Sequence, residues 1–154
     1  MKRIGILLLL VVLYYSFQHR LSVYAQDGWP REVNGHLIKP GIVLNHLNFE
    51  GANLRNADLS KADWSHSNFN NADLRQANLS DTELTSTSLH GANLSEANLS
   101  GANLVDVNLN HADLRSANLD GATLAGRTWL DNTNLKGANL TDVVWEGVFY
   151  NTST

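Results

Sequence analysis

Residues 91–124 read GANLSEANLSGANLVDVNLNHADLRSANLDGATL. An Ala-Asn/Asp-Leu triplet returns every five residues. Neither regular element has that period: a helix repeats every 3.6 residues and a strand every two. Ala97 and Leu99 are two apart, so on extended chain they point the same way, and Asn98 points the other. From Leu99 to Ala102 is three residues, the wrong parity for a straight strand. The chain must turn between them if both are to face inward. Ser100-Gly101 fills that gap, and Gly91, Gly121, Gly137 and Gly147 stand at the equivalent place. Glycine tolerates the backbone angles of tight turns. Each group of five is a very short extended piece plus a corner. A helix fails on its own terms, because leucines five apart rotate around its axis and form no stripe.

A chain that turns the same way every five residues closes a ring and then climbs. The product is a solenoid with Ala and Leu inside and polar residues outside, each repeat burying little until neighbours stack. Large inward residues run from Leu44 through Phe49, Trp64, Phe69 and Leu99 to Leu124, seventeen without a slip. Small ones sit two positions earlier, mostly Ala, with Ser67, Thr82 and Thr87 as polar exceptions. Continuing the register would bury Arg127, which is costly for a charge. The sequence therefore predicts a break at 127–132 with Arg127 turned out. The pattern resumes at Thr133-Asn134-Leu135 and runs through Val143-Val144-Trp145.

The segments ANLRN, ADLSK, ADLRQ, ANLSE, ANLSG, ADLRS and ANLTD resemble the pentapeptide-repeat family, whose consensus is A-(D/N)-L-x-x. The resemblance covers residues 42–147. It implies an all-β fold, a right-handed four-sided parallel β-helix with four pentapeptides per coil and about five coils. Solenoid ends expose core and unpaired backbone and need caps. Residues 26–41, with Trp29, Leu37 and Ile38, are expected to cover the first coil. Residues 148–154 are expected to supply the other cap, through Val148-Phe149-Tyr150, and a tail.

Residues 1–25 are a separate object. Lys2 and Arg3 precede an unbroken apolar run, Ile4–Leu13, and Val23-Tyr24-Ala25 precedes Gln26. That is the pattern of a secretory signal peptide. The run falls short of the about 20 apolar residues needed to cross a bilayer. Contact with a membrane would be transient, and the destination would be periplasm, thylakoid lumen or outside the cell. From Gln26 onward eight bases face fifteen acids, a net charge of −7. A chain of that charge is a poor match for bare nucleic-acid backbone. No cysteine is present, which removes disulfides and thiolate metal sites.

No nucleophile elbow, zinc-protease motif or phosphate-binding glycine loop occurs. A narrow leucine-filled rod leaves no room for a sizeable pocket away from its ends. The reading is a non-enzyme without cofactor, catalytic residues or metal site. His46 and His66 are four pentapeptides apart and should stack on successive coils. Two histidines without a close carboxylate make a weak metal site. His90 and His111 fall on another side. Stepping by four pentapeptides, one side carries Arg55, Arg75, Ser95 and Arg115, with Asp73 and Asp113 beside them. Arginine offers a planar fork for carboxylates and is enriched at interfaces. Arg55, Arg75 and Arg115 are therefore the candidate partner-binding residues, unless the two aspartates simply pair with their neighbours.

The resemblance also brings a second function. Some family members mimic duplex DNA and bind gyrase. An export signal and a modest charge argue against a DNA-mimicking regulator here. The first reading is an exported structural or interaction protein presenting rigid polar faces to a protein partner. A weak metal or small-ligand binder is the third.

Overall fold

The computed structural model describes residues 31–151. The expected leader at 1–25, Trp29 and residues 152–154 lie outside them. Among the described residues no helix is long and apolar enough to cross a membrane.

The outward residues of successive turns pair in parallel, each with the residue four pentapeptides further on over the regular repeats. With one corner per pentapeptide, that step makes a coil of four sides. The first side joins Val43, Asp63, Glu83, Asn103, Thr123 and Val144. The second joins Asn48, Asn68, Ser88, Asn108, Trp129 and Phe149. The third joins Asn53, Asp73, Asn93, Asp113 and Asn134, and the fourth Asp58, Asn78, Asn98, Asn118 and Asn139. Each side is so short that most contacts are single-residue bridges. Only near the end do they lengthen into parallel strands. The four strands are β1 (Arg31–Val33), β2 (His36–Ile38), β3 (Thr123–Ala125) and β4 (Val144–Glu146), with β3 pairing β4.

The corners explain the period. In the regular repeats the second residue after the inward Leu has positive φ, whether it is Gly91 at 66° or Gln76 at 58°, and His66 after Trp64 does the same at 60°. Many corners close by a bond across four residues, as when Ala97 N donates to Leu94 O at 3.0 Å. A turn with positive φ at its third residue is of type II character, and Gly or Asn suits that place best. Here Lys61, Glu96 and Ser116 also adopt it. Stacking therefore sustains a conformation that those residues seldom take in isolation.

The Asn/Asp slot has its own reason. The side-chain oxygen of the slot residue accepts the N–H two residues on: Ser100 N donates to Asn98 Oδ1 at 3.2 Å and Ser65 N to Asp63 Oδ1 at 3.0 Å. This is the Asx-turn that makes Asn and Asp preferred at turns. On the fourth side the amides also link coil to coil. Asn78 Nδ2 donates to Asp58 Oδ1, Asn98 to Asn78, Asn118 to Asn98 and Asn139 to Asn118, at 2.9–3.2 Å. The slot is a hydrogen-bonded ladder, not merely a solvated face.

Inside, Leu54 to Leu124 are buried in register, as the sequence predicts. Phe49, Trp64 and Phe69 make an aromatic cluster, with Phe49 and Phe69 stacked at 5.0 Å. The buried hydroxyls are satisfied. Thr82 donates to Leu79 O at 2.6 Å and Thr87 to Trp64 O at 3.0 Å. At the first coil β1 and β2 form an antiparallel hairpin over Asn34-Gly35, both at positive φ, the preferred two-residue hairpin turn. Ile38 is fully buried, Val33 packs on the core, and Leu37 stays outside. The cap expected from 26–41 thus rests on Ile38 among its two described apolar candidates.

Two expectations about the far end are corrected. The break placed at 127–132 is a single extra residue at 125–127. Thr128-Trp129-Leu130 is an ordinary triplet, with Thr128 and Leu130 buried and Trp129 bridged on both sides. The ladder step lengthens by one residue, and the hydrogen bonds continue: Leu109 N reaches Trp129 O at 2.9 Å. Arg127 is turned out as expected, its N–H bonded to Asp106 Oδ1 at 2.7 Å. Thr128 Oγ1 donates to Leu104 O and Ala125 O, tying the bulge to the coil below. Val148-Phe149-Tyr150 does not close the end. It is one more side of the coil, with Phe149 over Trp129 at 6.3 Å, and Tyr150 remains 73% exposed. No following coil among the described residues covers it.

Candidate functional site

The arginines named from sequence do share one corner, between the third and fourth sides. Asn56 N donates to Arg75 O, Gln76 N to Ser95 O and Glu96 N to Arg115 O, which stacks Arg55, Arg75, Ser95 and Arg115 coil on coil. Ser116 N donates to Lys136 O at 3.1 Å, so Lys136 is the next residue of this row. Stepping through the sequence by four whole pentapeptides missed it. The extra residue at the bulge lengthens the step by one, and only the location of that residue could have revealed Lys136.

Two members of the row are occupied. Arg75 Nε donates to Asp73 Oδ1 at 2.8 Å and its Nη2 to Oδ2 at 2.5 Å. Arg115 grips Asp113 in the same forked way, with Nη2 to Oδ2 at 2.7 Å. Each arginine hydrogen bond holds its aspartate below the usual carboxylate range, and the pairing raises each arginine further. The arginine side chains of these pairs are 41% and 55% exposed, so water and salt screen them. Among the described residues Arg55 and Lys136 form no ion pair, and Glu96 beside Ser95 is held by Gln76 Nε2 at 2.9 Å. The row is a line of alternating charge with open cations at its two ends, not a uniformly basic stripe.

The histidines fall as the register demands. His46 and His66 stack at 4.7 Å with their planes 4° apart. Both ring nitrogens coordinate in the ring plane, so two parallel rings at this spacing do not converge on one ion. His90 and His111 meet edge to face at 5.3 Å on another corner. Among the described residues no group of three or more His, Asp and Glu is placed to hold a metal. A hollow of about 520 Å³ lies at the far end, lined by Leu130, Leu135, Trp145, Gly147, Val148 and Tyr150. Its lining is mostly apolar.

The model of the family described as "Pentapeptide repeats" matches residues 41–126 in overlapping segments, with eight copies. The chain belongs to the pentapeptide repeat family. Its match ends where the extra residue enters, whereas the coil geometry continues through Phe149. Members of the family fold as right-handed quadrilateral β-helices, which accords with the four ladders seen here. Among solved structures, a pentapeptide repeat protein from Nostoc (alr5209) is 33% identical, over 55% of this chain and 84% of that one, with a TM-score of 0.50. One from the thylakoid lumen of Arabidopsis thaliana is 33% identical over 67% of this chain and 64% of that one, with a TM-score of 0.38. Rfr23 from a Cyanothece cyanobacterium is 30% identical over 75% and 84%, with a TM-score of 0.39. No curated protein sequence matches.

Proposed function

We propose that this pentapeptide repeat protein is a non-enzymatic, exported interaction protein that presents a rigid polar side to a protein partner. The observation that carries the reading is the corner row Arg55–Arg75–Ser95–Arg115–Lys136, fixed coil by coil along one corner of the rod. A rod of stacked turns holds such a row at constant spacing without an ordering cost on binding. A partner strand or loop with carboxylates at matching spacing would meet Arg55 and Lys136 directly and compete with Asp73 and Asp113 for the forks of Arg75 and Arg115. Export is supported by the basic start, the apolar run and Val23-Tyr24-Ala25 near the N-terminus.

The test is capture from an extract of the source compartment, with the protein as bait. Changing Arg55, Arg75 and Arg115 together to Gln should leave circular dichroism unchanged and abolish capture. Capture that survives the triple change places the interface on another side. Recovery of the uncleaved chain in the cytoplasm would contradict export.

A further inference from the structure

We propose that the hairpin over the first coil carries a self-modification site. Asn34 loses its side-chain amide to attack by the backbone nitrogen of Gly35, and the product loosens the cover. This goes beyond the partner surface above and rests on a different part of the molecule. Asparagine is a thermolabile residue, and the outward slot of this chain is largely filled with it. The reaction needs a free backbone nitrogen on the following residue, which closes a five-membered imide ring on the side-chain carbonyl carbon. From Asn45 to Asn132 the N–H that follows every asparagine is held in a backbone bond. Leu99 N donates to Asn118 O at 2.6 Å, Asn71 N to His90 O at 2.9 Å and Ala57 N to Leu54 O at 3.0 Å. Such a site reacts only when its coil opens. Asn134 and Asn139 are followed by leucine, whose side chain crowds ring closure. Asn34-Gly35 is the one Asn-Gly pair in the sequence.

The structure leaves that pair open. Asn34 and Gly35 are both exposed. Gly35 N donates no backbone bond among the described residues, because a β-turn bonds its fourth N–H and leaves the third free. A Cβ on Gly35 would meet nothing within 4 Å, so the turn has room to move, and glycine adds the backbone freedom to do so. Water or hydroxide takes the Gly35 N–H proton, the nitrogen bonds to Asn34 Cγ, and the Cγ–Nδ2 bond breaks as ammonia leaves. Water then opens the imide at one of its two carbonyls. One opening gives aspartate, the other isoaspartate, whose main chain runs through Cβ and Cγ. Both products weaken the cover. Asn34 Nδ2 donates to Asn48 O at 3.1 Å, which ties the hairpin to the second side of the first coil. Either product puts a carboxylate, an acceptor only, in place of that donor. Isoaspartate also adds a backbone carbon to a two-residue turn, and turn type and loop length fix hairpin register. The pairing of Val33 with His36 and of Arg31 with Ile38 is then lost, and Ile38, fully buried in the intact hairpin, meets water.

Incubation of the folded protein at mildly alkaline pH, followed by peptide mapping with mass spectrometry, tests this. Asn34 is expected to convert to aspartate and isoaspartate while the asparagines from Asn45 to Asn132 keep their amides. Asp120→Asn supplies the control. It places a second Asn-Gly pair at a corner where Gly121 N donates to Thr141 O at 2.9 Å. In the folded variant position 34 should convert and position 120 should not. In denaturant both should convert. An Asn34 that keeps its amide in the folded protein while losing it in denaturant overturns the proposal. So does conversion at position 120 as fast in the folded variant as in denaturant, since the ladder then protects nothing. Hydrogen exchange of the converted protein should show protection lost across Arg31–Ile38 and kept across 92–124. Equal hairpin protection before and after conversion overturns the loosening.

Discussion

Leu99 and Asn98 are neighbours in the chain and face opposite environments. Leu99 is fully buried. Burying such a side chain contributes roughly 1.5–3 kcal/mol, and truncation costs about 2–5 kcal/mol. Leu99→Ala should therefore lower stability by that amount in thermal melts, and Leu99→Asp by more, because it buries a charge. The opposite orientation of the two residues was legible from period alone. The cost at Asn98 was not. A polar slot on the outside reads as solvated, whereas Asn98 accepts from Ser100 N and Asn118 Nδ2 and donates to Asn78 Oδ1. Asn98→Ala should cost about 1 kcal/mol, the net worth of such bonds at a half-exposed site. A neutral Asn98→Ala would mean that the amide ladder is ornamental. The carboxylates of the same slots respond to acid. Ser65 lowers the pKa of Asp63 by side-chain hydrogen bonding, Arg75 that of Asp73 and Arg115 that of Asp113. Their native values lie below the unfolded ones, so the stability they add is fully present above about pH 4. It is lost as pH falls through the lowered values. Denaturant melts should show stability falling below that pH, and the fall should shrink when Asp63, Asp73 and Asp113 are all Asn.

At the scale of a single coil the turns carry the constraint. Gly121 and Gly147 both stand at corners with positive φ, 66° and 70°. A Cβ at Gly121 would meet nothing within 4 Å, whereas one at Gly147 would lie 2.7 Å from the carbonyl oxygen of Gly126 in the coil below. Gly147→Ala should therefore destabilise more than Gly121→Ala, which carries only the left-handed backbone cost of about 1–2 kcal/mol. Equal effects in chemical denaturation would contradict the close stacking of Gly147 on Gly126. The bulge below Gly147 was half legible. The need to keep Arg127 out of the core announced it. Its extent did not show, because Trp129 in an outward slot masks Thr128-Trp129-Leu130 as a repeat, and Thr128 is a polar residue in an alanine column. Amide exchange separates the two views. Trp129 and Leu130 donate to Val107 O and Phe149 O and should be protected like 92–124, while Arg127, bonded to the Asp106 side chain, should exchange faster. The hairpin at the other end carries its own signal in Asn34-Gly35, a two-residue turn pair between Arg31–Val33 and His36–Ile38.

At the scale of the whole molecule, one repeat rule fixes both the core and the surface. Because the chain advances one coil per four pentapeptides, a row of side chains is a row in space, and the arginine corner follows. Across the bulge the step is one residue longer, which adds Lys136 to the row and carries Thr123 opposite Val144, and past it the regular step returns from Trp129 to Phe149. The chain has no cysteine, so engineered pairs report register without interference. Neighbouring strands lie about 4.7–4.9 Å apart, within the about 4.4–6.8 Å that a disulfide spans between Cα atoms. Cysteines at Asn98 and Asn118, one regular step apart on the fourth side, and at Asn118 and Asn139, one lengthened step apart across the bulge, should each oxidise to an intramolecular disulfide in the folded protein. Cysteines at Asn118 and Ala138 should not, because Ala138 faces inward. A cross-link between 118 and 138 with none between 118 and 139 would contradict the single-residue bulge, and failure of the 98–118 pair would contradict the four-sided coil itself.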